Sequence, residues 1–298
     1  MGIAQEHEQA QVPAWLTWAM QRPGRSCFLE VDGRRLHYLS WGEDRPERPV
    51  LLLVHGMRAH AHWWDAIAPY FSEDYRVVAL DLSGMGDSDH RQSYPDQFGA
   101  LDIIDLIEGA GLGSVIGVGH SYGGSRLLRA CADRPELFRR LLVLDSFIVL
   151  PGAEIPVDTA NTASKRYYPD LPSALRRYRL MPEQPNPVLP ILAAIARHSL
   201  REEDQGWCWK FDLNLPLGVA HEEVGVSLLP RVPRPVDVIY GECSPVVSRD
   251  DAQQAVDLLP LGRGPFGMPG TYHHMMIDQP LAVIAILRGL LASGEKHE

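Results

Sequence analysis

The apolar run Ser114-Val115-Ile116-Gly117-Val118 leads without a break into Gly119-His120-Ser121-Tyr122-Gly123-Gly124, and a helical pattern over Tyr122–Ala132 follows. A buried strand that stops at G-x-S-x-G and continues as a helix admits few folds. The turn forces the serine backbone into a strained conformation, and a Cβ at 119 or 123 would collide with the neighbouring strand or helix. Ser121 would stand at the carboxyl edge of a sheet and the amino end of a helix, where a developing anion is favoured. Glycine- and serine-rich turns match so short a pattern by chance, so the surroundings decide what it is.

Those surroundings alternate between strand and helix. Phe28–Val31 and Arg35–Ser40 read as a hairpin joined at Asp32-Gly33. Val50–Val54 is continuously apolar, as a strand buried on both faces requires, and comparable runs follow at Arg76–Leu80, Ser114–Val118, Leu141–Leu144 and Val236–Tyr240. Helical patterns at Ala61–Phe71, Phe98–Gly109 and Tyr122–Ala132 lie between them. The expected fold is α/β, a doubly wound, mostly parallel sheet.

The spacing breaks once: about ninety residues separate Asp145 from Val236, far beyond an ordinary connection. The segment is proline-rich, with helix-like stretches at Ser173–Arg179 and Val188–His198 and the aromatic run Trp207-Cys208-Trp209-Lys210-Phe211. It is too apolar for a disordered linker, and an inserted helical cap over 148–231 is expected, with the core over 26–147 and 232–295.

A hydrophobic content of 45% supplies a large core, and a formal net charge of −10 argues against nucleic acid or an anionic membrane as main partner. No apolar run approaches the ~20 residues of a membrane span. The polar, acidic Met1–Gln11 has no signal-peptide character, and Cys27, Cys131, Cys208 and Cys243 show no C-x-x-C spacing. A cytoplasmic protein acting on a small molecule is expected, and a homodimer is allowed.

A serine hydroxyl needs a base within hydrogen-bond reach. His273 follows the last expected strand, about Pro265–Met268, and precedes the final helix from Pro280, which returns it to the edge bearing Ser121. Its neighbour His274 is the second choice. An oxyanion needs fixed donors, and the backbone N–H groups of Tyr122 and of Met57, in His55-Gly56-Met57 after Val50–Val54, are placed to supply them. The turn Asp81–Ser88 reads as structural. His60-Ala61-His62 has a metal-like spacing, but no carboxylate or further histidine stands with it in the sequence, so a loop or helix start is expected there. Trp63, Trp207 and Trp209 are candidates to line a substrate pocket, with core packing as the other reading of each.

With His55-Gly56, Asp81-x-x-Gly84-x-Gly86-x-Ser88, Gly119–Gly124 and His273 seven residues before Pro280, the chain resembles the α/β-hydrolase superfamily over about residues 26–293. Within it the chain resembles serine-hydrolase-like, epoxide-hydrolase-type members with a helical cap after strand six. The resemblance implies a carboxylesterase-like serine hydrolase acting on a small apolar ester or a carbon–carbon-bonded diketone, with no cofactor or metal. Epoxide hydrolases and haloalkane dehalogenases of this superfamily carry aspartate at the elbow, so serine speaks against both. Most members place the triad acid in a Gly-x-x-Asp turn after strand seven. Here that turn reads Gly241-Glu242-Cys243-Ser244, and a hydroxyl cannot offset an imidazolium. Asp145, at the end of strand six, is the expected substitute, with Glu242 as the alternative. An acid after strand six also occurs in cofactor-free ring-cleaving dioxygenases of this fold, which are one rival reading. A non-catalytic ligand receptor is the other.

Overall fold

The computed structural model describes residues 12–148, 150, 164–216 and 226–294. Helix α1 (Ala14–Met20) leads into the hairpin β1 (Arg25–Val31) and β2 (Arg34–Trp41), followed by β3 (Val50–Val54) and β4 (Arg76–Leu80). Then come α2 (Phe98–Gly109), β5 (Val115–His120), α3 (Tyr122–Asp133) and β6 (Phe138–Leu144). The described part of the insertion holds α4 (Leu171–Leu175), α5 (Leu189–His198) and the strands β7 (Leu200–Glu203) and β8 (Gly206–Trp209). The chain returns through β9 (Val236–Gly241), α6 (Arg249–Leu258), β10 (Gly262–Met268), α7 (Met275–Asp278) and α8 (Pro280–Gly294). Eight strands form one sheet in the order β1-β2-β4-β3-β5-β6-β9-β10, and only the pairings of β2 with β1 and β4 are antiparallel.

The unbroken apolar runs have a direct cause. In β3 and β4, Leu52, Val54, Val78 and Leu80 enter the core under α2, α3 and α6, whereas Leu51, Leu53, Val77 and Ala79 enter the core under α1, α5 and α8. Successive side chains point to opposite faces, so a sheet covered on both sides leaves no polar position.

Three expectations change. Ala61–Phe71 is not one helix but two 3-10 turns, Ala61–Trp64 and Ala68–Tyr70. Pro69 has no N–H to continue a helix, and the Asp81 carboxylate takes the Ala61 N–H at 2.5 Å. The stretch expected as a helix over Ser173–Arg179 begins earlier and closes within five residues, capped by Asp170 on the Ser173 N–H at 2.7 Å. The aromatic run of the insertion is partly strand, Trp207 to Trp209 pairing antiparallel with Leu200 to Glu202. Prolines 151 and 156, part of the expected cap, lie outside the described residues.

Steric closeness at the elbow explains its glycines. A Cβ on Gly119 would lie 2.6 Å from the Gly124 Cα and N, and one on Gly123 would lie 2.5 Å from the carbonyl oxygens of Val54 and His55. Both obstacles are backbone and cannot swing aside. Gly119→Ala is expected to cost about 1–3 kcal/mol, as overpacking does. A melting temperature lowered by roughly 3–10 °C in thermal unfolding would show it.

Candidate active site

Ser121 sits between β5 and α3 with φ 53° and ψ −122°. This left-handed region is disfavoured for a residue with a Cβ, and the surrounding hydrogen bonds impose it: Ser121 N–H donates to the Leu144 carbonyl at 2.9 Å, and its own carbonyl accepts from Gly124 at 3.1 Å. The half-buried side chain thus stands at the carboxyl edge of the sheet, one residue before the first turn of α3. The Ser121 hydroxyl makes no hydrogen bond among the described residues. Such contacts commonly tighten only when substrate is bound.

Gly56 brings the next loop against the elbow; a Cβ there would approach the Ser121 Cβ to 3.3 Å. His55, buried behind it, holds this loop in place. Its Nδ1–H donates to the Gly56 carbonyl at 2.7 Å and its Nε2 accepts from the Leu82 N–H at 3.1 Å. A ring that accepts on one nitrogen and donates from the other is neutral, and burial pushes its pKa down. Met57 follows, and among the described residues its N–H has no acceptor. Tyr122 opens α3 beside it. The turn Asp81–Ser88 is the structural hub behind this loop. Burial raises the Asp81 carboxyl, yet the hydrogen bond from His37 at 2.7 Å and the nearby histidines hold it well below the usual range. Asp81 also accepts from Asp87 N–H at 2.8 Å.

Of the two carboxylates weighed from the sequence, the structure brings Asp145 to the histidine. Asp145 Oδ2 lies 2.7 Å from His273 Nδ1, both groups buried. The same carboxylate accepts from the Gly241 N–H at 2.9 Å and from the Ser244 hydroxyl at 2.5 Å. Ser244, at the place where an aspartate was expected, is therefore a donor to the acid that stands elsewhere. Its oxygen is in turn fixed by the Val246 N–H at 3.1 Å. Glu242 is exposed and turns toward Gly267, away from the imidazoles.

His273 is one of three adjoining imidazoles. His120 and His274 lie 4.8 Å from it between ring centroids. His120 Nε2–H donates to the His273 carbonyl at 2.9 Å, tying the end of β5 to the loop after β10. His274 Nε2 reaches the Pro182 carbonyl at 3.2 Å rather than any carboxylate. Burial, then the charge of His273, pushes His120 well down and His274 down to about 3. Among the described residues only His273 of the three has a carboxylate against it.

A cavity of about 440 Å³ takes in Met57, Trp63, Trp209, Phe211 and His274. Trp63 and Trp209, two of the residues considered for a substrate pocket, line this cavity. Trp207 does not. Two residues along an extended strand, about 6.6 Å, set it off, and it packs against the Arg197 guanidinium at 4.8 Å. A second correction concerns His62, which does gain a carboxylate and a histidine in space. Asp65 meets its Nδ1 at 2.8 Å, and His198 of α5 stacks on it at 3.6 Å with 14° between the planes. The lone pairs of stacked rings lie in separate, nearly parallel planes and do not converge on one point, so this is a packing contact between core and insertion. His60, next to it, instead pairs with the Ser199 hydroxyl at 2.9 Å. Arg58, beside Met57 in the same cavity, was missed. The signal available was a cation directly after an expected oxyanion donor.

A sequence profile of the alpha/beta hydrolase family matches residues 51–286. The chain is 24% identical to esterase Rv0045c of Mycobacterium tuberculosis over 243 residues, 78% of this chain and 78% of that protein. It is 36% identical to epoxide hydrolase 4 of Mus musculus over 78 residues, 25% of this chain and 22% of that protein. The chain spans about a quarter of the length of several such curated relatives. The solved thioesterase domain from the curacin biosynthetic pathway superposes with a TM-score of 0.71 at 24% identity, covering 88% of this chain and 98% of that one. That likeness shows the fold. Among the described residues no helix is long and apolar enough to cross a membrane.

The depressed histidines carry a pH signature. Between the unfolded value near 6.5 and the folded value of about 3, the unfolded chain binds the His274 proton and the native protein does not. Stability is therefore full above pH 6.5 and declines as the pH falls, by about 1 kcal/mol at pH 5.5 for each histidine buried this way. Melting temperatures measured from pH 7.5 to 4.5 should fall steadily, and more shallowly in His274→Asn.

Proposed function

The chain belongs to the alpha/beta hydrolase family, and from that premise we propose that it is a serine hydrolase cleaving an ester or related acyl bond of a small, largely apolar substrate. Ser121 Oγ attacks the carbonyl while His273 Nε2 takes its proton, and Asp145 stabilises the imidazolium that results. The N–H groups of Met57 and Tyr122 hold the oxyanion, an arrangement in which one donor is worth ~3 kcal/mol. His273 then protonates the leaving group, and water, deprotonated by the same imidazole, releases the acyl-enzyme. Trp63, Trp209 and Phe211 offer an apolar wall for the acyl body.

The observation that carries this reading is the 2.7 Å contact of Asp145 with His273, in a chain whose β5–α3 turn is an elbow bearing serine. An imidazole so paired is fixed in the tautomer whose Nε2 is free to accept a proton. Serine at the elbow favours acyl transfer over the aspartate-based chemistry of epoxide opening, even though epoxide hydrolases are among the relatives. Asp145 at the end of β6 also suits proton abstraction from a heteroaromatic substrate by His273, the cofactor-free dioxygenase reading.

Ser121→Ala is expected to lower hydrolysis of p-nitrophenyl esters by about 10⁶-fold and to abolish labelling by a fluorophosphonate. Asp145→Asn should lower kcat by about 10⁴-fold, and Glu242→Gln should leave it within a factor of two. Full ester turnover by Ser121→Ala would defeat the proposal. Oxygen uptake with a 3-hydroxy-4-quinolone that survives Ser121→Ala would favour the dioxygenase instead.

A further inference from the structure

Arg58 lines the cavity that also takes in Met57 and His274, and it is adjacent in sequence to the oxyanion donor Met57, so the two Cα atoms are about 3.8 Å apart. Its backbone is left-handed, φ 56°, a conformation held here by the N–H contact with the Met85 sulfur at 3.1 Å. The guanidinium lies over the Phe211 ring at 4.7 Å. Among the described residues its Nε and Nη2 are buried without a hydrogen-bond acceptor. Burial pushes its pKa down, and among the described residues no neighbouring charge acts against that. The side chain is half-buried, and leaving that buried edge of the guanidinium without an acceptor is costly, a cost an anion bound in the cavity would relieve.

The two unsatisfied atoms are informative. Nε and Nη2 share one edge of the guanidinium and form the two-pronged fork that fits the two oxygens of a carboxylate. The rest of the cavity points the same way. Arg177 and Arg179 are exposed lining residues, no acidic side chain is among the described residues that line it, and His274 is neutral. In a chain of net charge −10, this is a local inversion of sign.

We propose that Arg58 is the carboxylate-binding residue of this site, and that the substrate is an acyl compound bearing a second, free carboxylate a few carbons from the scissile carbonyl. The class is that of hemisuccinyl and hemiglutaryl esters. The proposal rests on the acyl-transfer reading above and adds a charge to its apolar acyl body. In the reaction the ester C–O bond breaks, the leaving alcohol takes a proton through His273, and water supplies hydroxide to the acyl carbon. The distal carboxylate passes through unchanged, and the product is a dicarboxylate.

The test compares kcat/KM for p-nitrophenyl hemisuccinate and hemiglutarate with that for p-nitrophenyl butyrate. The unmodified protein should prefer an anionic ester by at least about tenfold. Arg58→Gln should lower kcat/KM for the anionic esters by about 30-fold or more, chiefly through KM, and reduce butyrate turnover far less. Arg58→Lys, which keeps the charge and loses the fork, should fall between. Equal losses on all three esters, or an intrinsic preference for butyrate, would overturn the proposal. A separate measurement decides it if no ester is cleaved. Calorimetry with succinate, glutarate and inorganic phosphate on Ser121→Ala should show binding of a dicarboxylate that disappears in Ser121→Ala/Arg58→Gln. Stronger binding of phosphate, or dicarboxylate binding indifferent to Arg58, would refute it whatever the fate of the serine mechanism.

Discussion

The site depends on one buried carboxylate. Asp145 ends β6 in a left-handed conformation, φ 47°, with its N–H on the Ile239 carbonyl at 2.8 Å, so the residue is clamped to β9 before its side chain does anything. Three donors from two segments, the turn after β9 and the loop after β10, then converge on two oxygens: the Gly241 amide, the Ser244 hydroxyl and the His273 ring. The Asp145 side chain itself is wholly buried. An anion in that position depends on these donors, and both segments are in turn tied to it.

The neighbouring imidazoles are divided accordingly. His120, His273 and His274 crowd together, and burial disfavours protonating His120 and His274. Of the three, Asp145 meets His273. His120 is left to act through its backbone contact, holding the His273 carbonyl and so linking the strand that carries the serine to the loop that carries the histidine. The residue between glycine and serine in the elbow thus positions the histidine loop.

What the sequence made legible is what sterics and periodicity govern. The elbow glycines answer to backbone collisions, and the apolar runs of β3 and β4 answer to a sheet covered on both faces. What it left ambiguous turns on where side chains point. Asp145 and Glu242 are both acids at strand ends, and only the left-handed turn at 145 and the outward course of the β9 loop separate them. Spacing along the chain hid the meeting of His62 with His198, because α5 arrives from 136 residues away. Trp207 and Trp209 looked equivalent as letters in one aromatic run, yet one strand repeat sends them to different neighbours. Arg58 gave no periodic signal at all. That two of its nitrogens lack an acceptor among the described residues is a property of the packed cavity.

Ser244 also bears on how many carboxylates this sheet edge can hold. Its hydroxyl occupies a point 2.5 Å from Asp145 Oδ2. An aspartate at 244 would set a second carboxylate against the first, and two such groups at that distance cannot both stay ionised. The two acid positions of this sheet edge therefore exclude each other. A small hydroxyl at 244 avoids that conflict, and it lends the carboxylate across from it a proton instead of a rival charge.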